Sequence, residues 1–239
     1  MKMSFEWSPR PVLRFALATL LAVGAVAGGY VFLDVPLRKI DMEAPFQRVT
    51  AMQIEATMRA SLSGGFLSLD IDRVQRALEA LPWVDRARVQ RVWPAGVRVS
   101  ISEQVAAARW GESGLLNTRG ELFVNDVRQM PAELPLLAGP LGTEQQVARL
   151  YLEFQTRLLP LGMRIGGVTL DPRGAWRVQL TNGVELRLGR EQPERRMERF
   201  LRAAAPIVSA RASELAYVDL RYSNGFALGW RNGVEDGDA

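Results

Sequence analysis

The stretch WRVQLTNGVELRLG, Trp176–Gly189, decides the architecture of the C-terminal part of this chain. Trp176, Val178 and Leu180 alternate with polar residues, and Val184, Leu186 and Leu188 answer them across Asn182-Gly183. Period-2 alternation marks strands with one dry face, and an Asn-Gly pair supplies the positive φ of a hairpin turn. Helices flank it on both sides. Thr143 with Gln146 has the spacing of a capping box, opening a helix with Val147, Leu150, Tyr151, Phe154 and Leu158 on one face. Pro193 is placed to start another, with Met197, Phe200, Leu201 and Ala204 inward.

Downstream, YVDLRYSNGFALGW, Tyr217–Trp230, predicts two further strands joined by a tight turn. No charge lies between Arg221 and Arg231, and Phe226, Leu228 and Trp230 alternate with Ala227 and Gly229. Strands at open edges are normally guarded by Lys, Pro or a bulge, so an uncharged final strand demands a reason. The residues after it, 232–239, are expected to form a disordered tail. Upstream, GGVTLD predicts a strand, and Trp110 and GELFV (120–124) predict short ones around Asn117–Gly120.

Residues 37–103 form a separate pattern. LRKIDMEA predicts a strand. Thr50 caps a helix with Ile54, Met58 and Leu62 at i, i+4 and i+8, broken by Gly64-Gly65. Asp70 caps a second, with Val74, Ala77, Leu78 and Leu81 inward, ended by Pro82. In WVDRARVQRVWPAGVRVSISE, Ala87 and Val89, then Val97, Val99 and Ile101, alternate with polar residues around Pro94-Ala95-Gly96. The order is β-α-α-β-β, two helices over one face of a three-stranded sheet. The expected fold class is α+β, this domain (34–103) being followed by a second mixed α/β domain (104–231) with an antiparallel sheet. Trp83, Trp93, Trp110 and Trp176 are expected in the core or at hairpin corners.

FALATLLAVGAVAGGYVFL, Phe15–Leu33, contains no charge. About 19 residues suffice to cross a hydrocarbon core of about 30 Å. Lys2, Arg10 and Arg14 precede it against a lone Glu6, which predicts a cytoplasmic tail (1–14) and exported C-terminal domains. Ala25-Val26-Ala27 resembles a signal cleavage site, but the apolar run continues beyond it. Gly24 and Gly28 form a G-x-x-x-G pair, a spacing that can pack membrane helices together.

Composition narrows the chemistry. The 239 residues include no Cys and no His, removing thiolate chemistry, disulfides and the usual neutral-pH base. Asp70/Asp72 fits a helix start and Glu194/Glu198 a solvated helix face; no phosphate loop or metal cluster is spelled out. The expectation is a non-enzyme without cofactor or metal. The net charge of +4 is interspersed with acidic residues, so nucleic acid is not expected as a partner.

The whole arrangement resembles the bacterial FtsQ/DivIB cell-division family. LPWVDRARVQRVWPAGVRVSISE and the following ARW (108–110) are similar to the end of its POTRA domain, and the two stretches around Trp176 and Tyr217 to its β domain. The resemblance implies a single-pass inner-membrane scaffold of the divisome, periplasmic in its bulk and enriched at the septum. Such a scaffold joins FtsB and FtsL, among other divisome proteins, and helps recruit and regulate septal peptidoglycan synthesis. It also implies that a segment of FtsB adds a strand to the final strand. By position, contacts then fall to Arg221, Tyr222, Asn224, Gly225, Gly229 and Trp230, together with Phe226 and Leu228 of the same strand. Arg173 falls where the family has an arginine facing an acidic residue of FtsB. The alternative reading, a POTRA-type outer-membrane assembly or secretion component, requires a C-terminal barrel that the helices at 143–159 and 193–205 do not fit.

Overall fold

A computed structural model describes residues 10–43, 47–127 and 130–231, and the chain divides into two units after Glu103. The first begins with helix α1, Arg10–Leu33. It starts inside the tail expected at 1–14; residues 1–9 and 232–239 lie outside the described set. Phe15, Leu17, Leu20, Leu21 and Val23 are exposed on it. Counting only described residues, no helix is long and apolar enough to cross a membrane; the α1 side chains at 10–14, 16, 26, 27 and 30–33 are outside that count.

Strand β1 (Lys39–Glu43), helices α2 (Ala51–Ser61) and α3 (Ile71–Glu79), and strands β2 (Val84–Val92) and β3 (Gly96–Glu103) follow. The sheet order is β1-β3-β2, with β1 parallel and β2 antiparallel to β3. Each helix is started by its own side chain. Thr50 Oγ1 accepts the Gln53 N–H at 3.2 Å while Gln53 Oε1 accepts the Thr50 N–H at 3.1 Å, and Asp70 accepts the Arg73 N–H at 2.9 Å. Ile54, Met58, Val74 and Leu78 then meet Val84, Ala87, Val89, Val97 and Val99 in one core. Trp93 does not join it: the ring sits in the β2–β3 turn, 78% exposed.

Glu103, at the end of β3, ties down the entry to α2. Its carboxylate accepts the N–H groups of Gln47, Arg48 and Val49 at 2.7–3.1 Å.

The second unit builds a nine-stranded sheet from β4 (Ala106–Trp110), β5 (Gly114–Asn117), β6 (Leu122–Val124), β7 (Leu136–Ala138), β8 (Ile165–Leu170), β9 (Trp176–Leu180), β10 (Glu185–Gly189), β11 (Leu215–Asp219) and β12 (Ala227–Trp230). The order is β12-β11-β10-β9-β8-β7-β4-β5-β6. The sheet is mixed, which corrects the antiparallel expectation: β4/β7, β7/β8 and β10/β11 are parallel. Helical crossovers return the chain to run in the same direction in β7/β8 and β10/β11, while β4 and β7 are joined through β5 and β6. Helix α4 (Glu144–Leu158) links β7 to β8; α5 (Pro193–Arg199) and α6 (Ala205–Arg211), joined by a π-turn over Phe200–Ala204, link β10 to β11. Pro206 explains the turn. It lacks an N–H and its ring crowds the carbonyl four residues back, and the helix opens so that the Ala205 N–H reaches Phe200 O. Phe154, Leu158, Met197, Phe200, Ala204 and Val208 pack against Val168, Trp176, Val178, Leu186, Leu188 and Val218.

Two local expectations change. Thr143 precedes α4 without a side-chain cap: its backbone (φ −101°, ψ 7°) lies outside the extended region that aims a capping oxygen at the first turn, and its hydroxyl donates to the Pro140 carbonyl at 2.6 Å. In the Asn182-Gly183 turn only Gly183 takes positive φ (86°), with the Gly183 N–H bonded to Leu180 O at 3.0 Å.

The Glu103 anchor makes a pH-dependent prediction. Partial burial raises its pKa, but the three backbone donors and nearby Arg48 outweigh it, leaving the group below its ordinary value. A depressed folded pKa stabilises above the unfolded value and loses that contribution as pH falls through the folded one. Glu103→Ala is expected to cost about 1–3 kcal/mol near neutrality. Denaturant melts of both proteins should begin to draw together as pH falls below the ordinary glutamate value of about 4.3 and continue to do so through the lower folded one; a penalty unchanged at acid pH would contradict the anchor.

Candidate partner-binding edge

Strand β12 lies at one end of the large sheet and is paired on one side, with β11. Its register is Trp230 opposite Leu215, Gly229 opposite Tyr217, Leu228 opposite Val218 and Ala227 opposite Asp219. The connection is the loop 220–226 rather than a tight turn.

Backbone direction along this edge follows from two hydrogen bonds. The Leu220 N–H donates to Arg187 O on the β10 side, so the alternate residues Tyr217 and Asp219 point their polar groups toward β12. The Arg231 N–H donates to Glu214 O at 2.8 Å, which turns Ala227 and Gly229 inward as well. Successive residues point N–H and C=O to opposite sides. The open side therefore presents the backbone of Leu228 and Trp230.

Side chains stiffen the edge from both faces. Leu228 and Phe226 pack on the helix-covered core. Trp230 is 38% exposed and lies under the Arg211 guanidinium, 4.3 Å from the ring centroid. On the other face Tyr217 covers Gly229 so closely that a Cβ there would overlap the Cε1, Cζ and Cδ1 atoms of its ring. Arg187 stacks on the same ring at 3.7 Å and pairs with Glu185 at 2.6 Å. Gly229 is thus set by Tyr217, and not by a need for space beside the strand.

The loop 220–226 is held by groups that the sequence pattern left on a solvated helix face. Arg199 of α5 donates through Nη1 to the Tyr222 carbonyl and, at 2.9 Å, to that of Gly225. Tyr222 is 58% exposed, Asn224 is exposed, and a Cβ at Gly225 would meet open space. Arg221 folds back on Asp219, with Nε to Oδ1 at 2.9 Å and Nη2 to Oδ2 at 2.6 Å. Those hydrogen bonds, against the cost of burial, hold the Asp219 carboxyl below its usual pKa. Arg221 also lines a groove of about 370 Å³ with Asp171, Arg177, Glu185, Arg187 and Gly189. Arg173 belongs to the turn on which that groove ends, its N–H donated to Asp171 Oδ1 at 2.9 Å. Arg231, outside the expected set, donates to Leu215 O at 3.0 Å and locks the strand's end. The sequence carries a signal for Arg231, a cation directly after an uncharged strand, and none for Arg199, which lies in α5. Gly24 and Gly28 lie on α1, where a Cβ at either would meet no described atom within 4 Å beyond its neighbours and the helix's own backbone.

Comparison with known proteins assigns both units. Residues 35–104 match the FtsQ-type POTRA domain, and residues 108–221 match the C-terminal domain of cell division protein FtsQ/DivIB. The chain belongs to the FtsQ/DivIB family. It is 31% identical over 217 residues to cell division protein FtsQ of Coxiella burnetii, covering 89% of each chain. It is 36% identical to that of Burkholderia pseudomallei, covering 88% of this chain and 87% of the relative. For Shewanella oneidensis the identity is 37%, over 88% and 83%. The family is one of non-enzymatic cell-division scaffolds.

The Tyr217–Gly229 contact makes a prediction that separates strand stability from partner contact. Gly229→Ala should destabilise the second unit by about 1–3 kcal/mol through overpacking. In a Tyr217→Ala background the same change should cost much less, a coupling that a double-mutant cycle of thermal melts reads directly. Equal penalties in both backgrounds would refute the packing account.

Proposed function

We propose that this FtsQ/DivIB-family chain is a membrane-anchored divisome scaffold that captures FtsB by strand addition along β12. Through FtsB and FtsL it takes part in recruiting and regulating septal peptidoglycan synthesis. The observation that carries the reading is the outward backbone of Leu228 and Trp230 on an edge strand without charge from 222 to 230. An added strand would meet both groups with hydrogen bonds, the recognition mode in which main chain supplies affinity and flanking side chains supply specificity. Tyr222 and Trp230 offer exposed aromatic surface beside that line, and aromatics are the common anchors of such interfaces. Arg173, Arg221, Asn224, Gly225, Phe226, Leu228 and Gly229 complete the proposed contact region. Of the cationic members of the groove, Arg177 and Arg187 lie inward of β11 and Arg221 follows it; they suit an acidic residue on a part of FtsB that runs beyond its paired strand.

The apolar run of α1 supports the anchor. Its uncharged part, Phe15–Leu33, gives about 28 Å of helix, close to a hydrocarbon core of about 30 Å. The basic bias ahead of it favours a cytoplasmic N-terminus with both C-terminal units in the periplasm at the septum. Gly24 and Gly28, unoccupied by this chain, leave that helix a close-approach face for a second membrane helix.

Amide hydrogen exchange on the full chain, free and bound to FtsB, tests the docking mode. The Leu228 and Trp230 amides should exchange fast when free and slowly in the complex, while Ala227 and Gly229 amides are protected in both. Unchanged exchange at Leu228 and Trp230 in a formed complex would rule out strand addition. Tyr222→Ala should weaken FtsB capture about tenfold without shifting the melting temperature. Arg173→Glu should weaken it less, and most at low salt.

A further inference from the structure

The β2–β3 turn carries an indole that the first unit leaves outside its core. Trp93 is 78% exposed, whereas Ala95 in the same turn is buried at 8%. Two cations lie beside it. The Arg38 N–H donates to the Ala95 carbonyl at 2.9 Å, and Lys39 lies opposite Gly96 in the β1–β3 register. With Val92, Trp93 and Pro94 these residues line a groove of about 250 Å³. Its acidic member is Asp41, paired with Lys39 at 2.8 Å; the Lys39 side chain nevertheless stays 73% exposed. The groove thus keeps one net positive charge next to a large apolar ring.

Chain connectivity limits what this patch can face. Helix α1 ends at Leu33, and Arg38 follows five residues later, within about 18 Å for a fully extended chain. The intervening segment is already bound to the first unit. The Asp34 carboxylate accepts the Leu67 and Ser68 N–H groups at 2.7 and 3.1 Å, and the Val35 carbonyl accepts the Phe66 N–H at 2.8 Å. With α1 in a bilayer, Leu33 marks the hydrocarbon boundary, and the polar layer beyond it is roughly 5–8 Å thick. Tryptophan favours that layer, and cations beside it are drawn to anionic headgroups within a Debye length.

We propose that Trp93, with Arg38 and Lys39, docks the first unit on an anionic phospholipid surface. The inference rests on the membrane-anchor reading of α1. It makes β1 and the β2–β3 turn the base of the domain, and it gives the exposed ring an apolar environment that the chain itself does not supply.

The test uses the full chain reconstituted in vesicles of phosphatidylglycerol or of phosphatidylcholine, each with brominated acyl chains. The emission lost in Trp93→Phe isolates the Trp93 contribution from that of the other tryptophans. That component should be quenched about twofold more in the anionic vesicles, and Arg38→Gln with Lys39→Gln should remove the difference. Flotation of the same samples separates the two readings. A chain that stays at the bottom of the gradient overturns the anchor, and the docking with it. A chain that floats with Trp93 unquenched overturns the docking alone. Equal quenching in both lipids would overturn the assignment of Arg38 and Lys39.

Discussion

An edge strand leaves every second backbone N–H and C=O without a partner from its own sheet, and β12 is such a strand. Water can satisfy those groups, so the edge is not unstable, but it remains a template for another chain. What makes β12 usable is that it cannot fray. Arg231 bonds the Leu215 carbonyl, Arg199 holds the loop carbonyls of Tyr222 and Gly225, and Arg211 covers Trp230. Arg231 at the strand's own end, with Arg199 of α5 and Arg211 of α6, thus pre-orders a short strand that carries no charge itself. Pre-ordering lowers the entropy cost of association, which is where much binding energy is otherwise lost.

The two faces of the strand divide the work. Toward the helices, Leu228 and Phe226 add to the core and fix the register; a one-residue slip would put both in water. Toward the open face, the Tyr217 ring lies on Gly229 and carries Arg187 on its far side. Glycine weakens a strand because it has no side chain to pack, and a cross-strand aromatic ring supplies the missing contact. The close approach at Gly229 is therefore spent within the fold, and the backbone left facing the open side is that of Leu228 and Trp230.

Much of this was legible in the sequence, for identifiable reasons. Period-2 alternation around Asn182-Gly183 and in 84–103 specified strands, and Thr50 and Asp70 specified helix starts, because each signal is local. The direction of strands was not legible. The parallel β10/β11 pairing depends on a crossover whose length includes the π-turn at Pro206, a tertiary consequence of one missing N–H. Long-range cation roles were equally hidden. Arg199 sits among Arg195, Arg196 and Glu198 and is indistinguishable from them by spacing, yet it reaches across 26 residues of sequence to Gly225. Thr143 had the right spacing for a cap, but its backbone does not take the extended conformation that would turn its oxygen toward the first-turn N–H groups.

Electrostatics and backbone pairing contribute unequally to the proposed docking. Arg221 already makes a bidentate pair with Asp219, a carboxylate with 6% of its side chain exposed, so an incoming acid must share a guanidinium that is in use. Exposed ion pairs are worth about 0.2–1 kcal/mol, whereas each strand hydrogen bond contributes about 0.5–1.5 kcal/mol net. A strand meeting both outward groups of Leu228 and Trp230 can thus gain more from main chain than from any one arginine. The groove charges then act mainly on approach and orientation, raising the rate of encounter with an acidic segment. Tyr222 and Trp230 add the apolar contact that hydrogen bonds alone cannot give. On the proposed docking, the missing charge on β12 has a reason: a charged side chain there would guard the edge against strand addition.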